Sequence, residues 1–185
     1  MIIGWALGSK KINIKKIVIE NLGERKGNQL LEKTGPNFLQ HADVNEDSIS
    51  LGVAALKKLL NKLSKENIDL NSLGSLISVS ESPHNQIPGN SFDYISLCNI
   101  HEHVFPIDIN AGCTGFVDAL RIANSLKMPS IIITSETYSK RINGFERSIT
   151  PIFSDGASAT YFDPSQWTVL YESSTIRKNT SDAIS

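Results

Sequence analysis

Among the residues able to do covalent chemistry, Cys113 has the most telling neighbours. It lies in Phe105-Pro-Ile-Asp-Ile-Asn-Ala-Gly-Cys-Thr-Gly-Phe-Val-Asp-Ala-Leu120. That stretch reads as a short buried strand over 104–109, a tight turn, and a helix over 114–127 that Pro129 cannot prolong. Cys113 is thereby expected at a helix N-terminus, where free N–H groups and the helix dipole favour a thiolate. Gly112 and Gly115 flank it and allow backbone or a substrate to come close. The competing reading is a small buried core residue, a common fate of free cysteine.

The elements that would hold this turn can be read along the chain. Residues 2–7 form a first strand. Lys10, Lys11, Lys15 and Lys16 alternate with Ile12, Ile14, Ile17 and Val18, as an exposed hairpin arm or a second strand would. A short helix over 28–33 ends at Gly35-Pro36. Ile49, Val53, Leu56, Leu60 and Leu63 make one apolar stripe on a helix from Asp47 to Lys65, with Asp47 or Ser48 as cap. Lys57, Lys58, Lys62 and Lys65 lie mostly opposite, as a solvated face or as a docking surface for an acidic carrier protein.

Residues 76–79 and 131–134 are continuous apolar runs, expected of strands covered on both faces. A polar loop over 80–90 and a helix over 91–100 connect to the cysteine strand, with Cys98 in the core. His101, Glu102 and His103 could bind metal, but no further ligand is nearby and a surface loop is the simpler reading. A long polar connection, 136–150, is followed by strands over 159–162 and 168–172. Strands and helices alternate, so the class is α/β with a mostly covered mixed sheet and helices on both faces.

The 185 residues, 40% hydrophobic and 20% charged with net charge −1, suffice for one domain with a core. This balance points to neither nucleic acid nor a membrane surface as partner. No apolar run has the length of a membrane span and no signal peptide opens the sequence. Two cysteines without zinc spacing argue against a disulfide framework or a metal site and fit a reducing cytoplasm.

With these residues in place, the sequence resembles the N-terminal half of a beta-ketoacyl-ACP synthase III, a condensing enzyme of the thiolase superfamily. Thr34-Gly35 resembles the family's Thr-Gly-Ile, and Ser82-Pro83 to Pro88 its Thr-Pro…Pro loop. Asp108-Ile-Asn-Ala-Gly-Cys-Thr-Gly-Phe116 resembles its Asp-x-x-x-Ala-Cys-x-Gly-Phe, and Glu146-Arg147 its Asp-Arg. Ser135-Glu136 followed by Ser139 resembles the family's next strand and turn. Phe153-Ser-Asp-Gly-Ala-Ser-Ala159 resembles its Phe-Gly-Asp-Gly-Ala-Gly-Ala.

The resemblance implies a thiolase-like half, residues 1–172, with the nucleophile at a strand-to-helix turn and a polar tail over 173–185. It implies that Cys113 takes an acyl group from a coenzyme A or acyl-carrier-protein thioester, with no permanently bound cofactor. It implies that Arg147 stacks on the coenzyme adenine and that Ile87 projects toward the acyl tunnel of a dimer mate. The family's decarboxylating His and Asn lie in a C-terminal half with no counterpart here, and none of His41, His84, His101 and His103 sits in its histidine motif.

Gln29 replaces the tryptophan expected opposite Arg147, and Asn37-Phe38-Leu39-Gln40 replaces basic residues, which leaves coenzyme binding open. The expected partner is a second copy or a separate C-terminal half, because the apolar cysteine helix would otherwise expose a large patch. The alternative is a non-catalytic thiolase-fold subunit, or a truncated inactive copy, that stabilises a partner.

Overall fold

The computed structural model describes residues 2–167 and Ser173. The expected strand over 168–172 lies outside the described residues, as does the tail apart from Ser173. Seven strands and five helices follow in order: β1 Ile2–Leu7, β2 Lys10–Asn13, α1 Ile14–Leu22, α2 Glu24–Thr34, β3 Phe38–His41, α3 Ser48–Lys65, β4 Ser75–Val79, α4 Asn90–Leu97, β5 Phe105–Ile109, α5 Gly115–Leu126, β6 Ser130–Glu136 and β7 Gly156–Phe162. The main sheet has the order β1-β7-β6-β4-β5, and β2 and β3 form a separate ribbon. β4 is parallel to β5 and β6, whereas β7 runs antiparallel to β6 and β1.

Strand alternation sends side chains into two cores. Leu76, Ile131 and Ile133 pack with Leu56, Leu59 and Leu63 of α3 and Tyr94 of α4. Ile77, Val79 and Ile132 pack with Ala119 and Ala123 of α5. β4, between β5 and β6, is buried along its whole length. The α5 face is only partly covered, and Ile3, Trp5 and Leu7 of β1 are exposed on the open end of the sheet.

α3 begins at Asp47, whose carboxylate accepts from the Ser50 amide at 2.7 Å while Ser50 Oγ accepts from the Asp47 amide at 2.8 Å, a reciprocal capping box. Its buried seam differs from the expected stripe. Leu51, Ala55 and Leu59 are inside, and Val53 and Leu60 are only half-buried. The lysine face is not simply solvated either. Lys58 Nζ donates to the Trp5 carbonyl at 2.9 Å and Lys62 Nζ to the Ile3 carbonyl at 2.7 Å. Both reach over the outer edge of β1 and occupy carbonyls that would otherwise invite another strand.

Three other expectations are corrected. The lysine-rich segment is neither a hairpin arm nor a strand throughout. Only residues 10–13 are extended, and Asn13 then caps α1 by accepting from the Lys16 amide at 3.0 Å. The apolar residues of that segment follow a helical period, and Ile14 and Val18 bury against Leu31 and Leu39. β5 is not a buried strand: it is the sheet edge, and Phe105 is 57% exposed. Cys98, expected in the core, is half-buried at the α4 C-terminus and packs against the core's margin.

Candidate active site

The chain passes from β4 through α4 to β5, then crosses back through α5 to β6. The two connections run in opposite directions along the sheet and lie on opposite faces of it, which opens a crevice beyond the carboxyl ends of the parallel strands. Cys113 lies at that end. It is exposed on a single 3₁₀ turn, Gly112–Thr114, that leads into α5.

The fit of this turn explains its glycines. Gly112 has φ +55°, and a Cβ there would stand 2.5 Å from the Glu81 carboxylate. Gly115 is buried, and a Cβ there would stand 2.4 Å from Val79 Cγ1. The first turn of α5 therefore rests directly on the end of β4. Among the described residues no side chain caps the α5 N-terminus; Thr114 Oγ1 turns back to the Ala111 carbonyl at 2.8 Å and to Asp118 at 3.1 Å. The Thr114 amide donates to the Ala111 carbonyl at 3.3 Å and the Gly115 amide to the Gly112 carbonyl, so an exposed cysteine here draws on the α5 dipole, whose positive end favours a thiolate.

Three carboxylates brace the surrounding loops. Asp108 accepts from the Ser91 amide at 3.1 Å and from the Ser91 hydroxyl, supplying the cap that Gly89 cannot give α4. Glu136, at the end of β6, accepts from the amides of Glu81 at 2.6 Å and Ser82 at 3.0 Å and from Ser82 Oγ at 2.5 Å. Burial pushes its carboxyl above the ordinary value, against the pull of these hydrogen bonds. Asp155, fully buried, accepts from the Ala42 amide at 2.7 Å, from the Ser139 amide at 3.0 Å and from the Ser139 hydroxyl. Glu136 thus fixes the loop that meets the cysteine turn at Gly112, Asp108 anchors the start of α4, and Asp155 ties Ala42 to Ser139.

Beside the cysteine turn is a cavity of about 280 Å³, walled by Ser80, Glu81, Pro83, Asn85, Gln86 and Gly89 on one side and Asp108, Ile109, Asn110 and Arg141 on the other. Cys113, Arg147 and Ile87 do not line it. Arg147 is exposed on a turn in which the Ile149 and Thr150 amides donate to the Glu146 carbonyl. Ile87 is 92% exposed at the tip of the 80–89 loop. Glu81 and Arg141 were missed by sequence reading. The rule that ligands gather beyond the carboxyl ends of parallel strands would have picked out Glu81, two residues past β4. His101 and His103 have ring centroids 6.2 Å apart, and among the described residues no group of three His, Cys, Asp or Glu is arranged to hold a metal.

Comparison with known proteins defines the class. Solved structures of a 3-oxoacyl-(acyl-carrier protein) synthase from Burkholderia xenovorans LB400 and of the priming beta-ketosynthase from the R1128 polyketide pathway superpose with TM-scores of 0.77 and 0.74. They share 22% and 20% identity with this chain, cover 86% of it, and are themselves covered for 46% and 48% of their length. The chain has the fold of these two synthases.

The sequence comparison is more particular. Residues 107–176 match the 3-Oxoacyl-[acyl-carrier-protein (ACP)] synthase III family. A beta-ketoacyl-[acyl-carrier-protein] synthase III of Clostridium perfringens is 31% identical over 170 residues, covering 85% of this chain and 49% of that protein. A putative 3-oxoacyl-[acyl-carrier-protein] synthase 3 of Campylobacter jejuni is 33% identical over 133 residues, 70% of this chain and 37% of that protein. The chain is beta-ketoacyl-ACP synthase III-like, and spans about half the length of the curated relatives it matches.

Proposed function

We propose that this chain is the nucleophile-bearing half of a condensing acyltransferase. Cys113 thiolate attacks the carbonyl carbon of a coenzyme A or acyl-carrier-protein thioester. The tetrahedral oxyanion is held by the Cys113 amide, and the departing thiolate leaves the acyl group on Cys113. Arg147 contributes to holding the thioester, and Ile87 contacts a dimer mate. The His and Asn that promote decarboxylation of a malonyl thioester come from a C-terminal half, on the same polypeptide or a separate one. The protein works in the cytoplasm as a homodimer or with that half, covering the open sheet end at Ile3, Trp5 and Leu7.

The observation that carries this reading is the exposed cysteine on an uncapped helix N-terminus at the parallel-strand ends, inside the segment matched by the synthase family. A second reading, a non-catalytic subunit that keeps the fold to stabilise a partner, draws on Gln29 and on residues 37–40. Gln29 is exposed on α2 where the resemblance expects a tryptophan, and Phe38, Leu39 and Gln40, where it expects basic residues, are tied into the β2–β3 ribbon. Mixing the chain with a separately produced C-terminal half of a related synthase, and assaying condensation with a malonyl thioester, discriminates them. Activity that needs both halves and Cys113 supports the first reading. Turnover by the 185-residue chain alone, or none in the mixture, contradicts it.

A further inference from the structure

The cavity beside the cysteine turn is unlike a tunnel for a hydrocarbon. Pro83 and Ile109 are its only apolar side chains. Asp108 in its wall is engaged by Ser91 through both carboxylate oxygens. Glu81 is not so engaged: its amide is used by Glu136, but its carboxylate receives no hydrogen bond from any described residue in the structure. That carboxylate abuts Gly112, one residue before Cys113. The amides of Asn85, Gln86 and Asn110 and the guanidinium of Arg141 share the cavity with it.

We infer that this cavity selects a compact, non-anionic acyl group bearing a hydroxyl or amide, in preference to an alkyl chain. The inference rests on Cys113 being the acylated residue and names the substrate class for that step. Glu81 requires a donor, and the amides and Arg141 offer donors and acceptors. Two carboxylates, Glu81 and Asp108, face one guanidinium, Arg141, which disfavours an anionic occupant. An alkyl chain would strip water from these groups and return no hydrogen bond. At about 280 Å³ the cavity is at the small end for ligand sites, so the group must be short.

Disulfide exchange on the full chain tests this without requiring acyl transfer. Cys113 thiolate attacks a probe disulfide, forms a mixed disulfide with the arm-bearing half and releases the other half as thiol. Two probes of equal length compete at equal concentration, one with a hydroxyl- or amide-tipped arm, the other with an alkyl arm. Adducts are counted by intact mass and assigned to Cys113 or Cys98 by peptide mapping. The polar arm is expected to win on Cys113 by about tenfold, with little preference on Cys98.

In Glu81→Leu, checked for folding by circular dichroism, the preference on Cys113 is expected to fall or reverse. Equal capture of both arms, or preference for alkyl, by the wild-type chain overturns the inference, whatever the variant does. Failure of the parent reading is seen separately, as absence of acylation by every thioester while the disulfide preference persists.

Discussion

Cys98 and Cys113 sit at opposite kinds of helix end, and on helices that cover opposite faces of one sheet. Cys98 follows the last turn of α4, half-buried against the α3 side of the core, where burial pushes its thiol above the ordinary value despite the nearby Lys57 charge. Cys113 precedes the first turn of α5, exposed at the positive end of that helix's dipole. A helix C-terminus presents carbonyls that oppose a thiolate, whereas a helix N-terminus presents N–H groups that favour one. The contrast teaches that reactivity here is assigned by the connection. The β4–α4–β5 crossover half-buries its cysteine, and the β5–α5–β6 crossover displays its own at the open end of the parallel strands.

The surest way to erase the contrast is to remove the Asp155 carboxylate. Asp155→Ala leaves the Ala42 and Ser139 amides without their buried acceptor. We expect a loss of about 3 kcal/mol in urea unfolding, with both cysteines then reacting through the unfolded state. A loss below about 0.5 kcal/mol would show that the brace is dispensable.

Gly115→Ala acts more selectively. The added methyl meets Val79 Cγ1, held in the buried strand β4, and should cost about 1–3 kcal/mol by overpacking. Acylation of Cys113 should fall while the alkylation rate of Cys98 stays as it was. An unchanged melting temperature would contradict the close seating of the turn on β4.

Glu136 supplies a pH test of the loop beside the cysteine. Its folded carboxyl holds a proton more tightly than its ordinary value of 4.5, so its contribution to stability is fully present below that value and is lost as pH rises through the raised one. The stability of the wild type relative to Glu136→Gln should therefore improve on acidification from neutral pH toward 4.5. A difference that is flat across this window would show that burial does not perturb the group.

The smallest expected effect is at Arg147. It is exposed, so Arg147→Ala should weaken thioester affinity by on the order of 1 kcal/mol and leave stability unchanged. Titration with a coenzyme A thioester is the measurement, and unchanged affinity removes Arg147 from the site.

The sequence made some of this legible because local signals agreed with tertiary demands. Asp47 announced α3, Gly35 stopped α2, and the apolar runs ending at Val79 and Thr134 became the strands flanking the crevice. Elsewhere two physical causes gave the same pattern. Apolar residues among lysines suit a helix as well as an exposed strand, and only packing of Ile14 and Val18 on Leu31 chose the helix. Phe105-Pro-Ile-Asp-Ile109 is apolar enough for an interior strand yet forms the edge, because α5 carries the chain back across β4.

Lys58 and Lys62 looked like a solvated face because nothing local says that β1 runs beneath them. Cys113 was found by its glycines and its helix. Glu81, thirty-two residues earlier, meets it only through the fold.

The central claim is that the two cysteines differ in kind, and one measurement tests it most directly. The chain is incubated with an activated short-chain acyl thioester, digested, and the acyl mass assigned to peptides. The account predicts acyl on the Cys113 peptide, none on the Cys98 peptide, and complete loss of the adduct in Cys113→Ala. Equal acylation of both cysteines, or an adduct that survives Cys113→Ala, would contradict it.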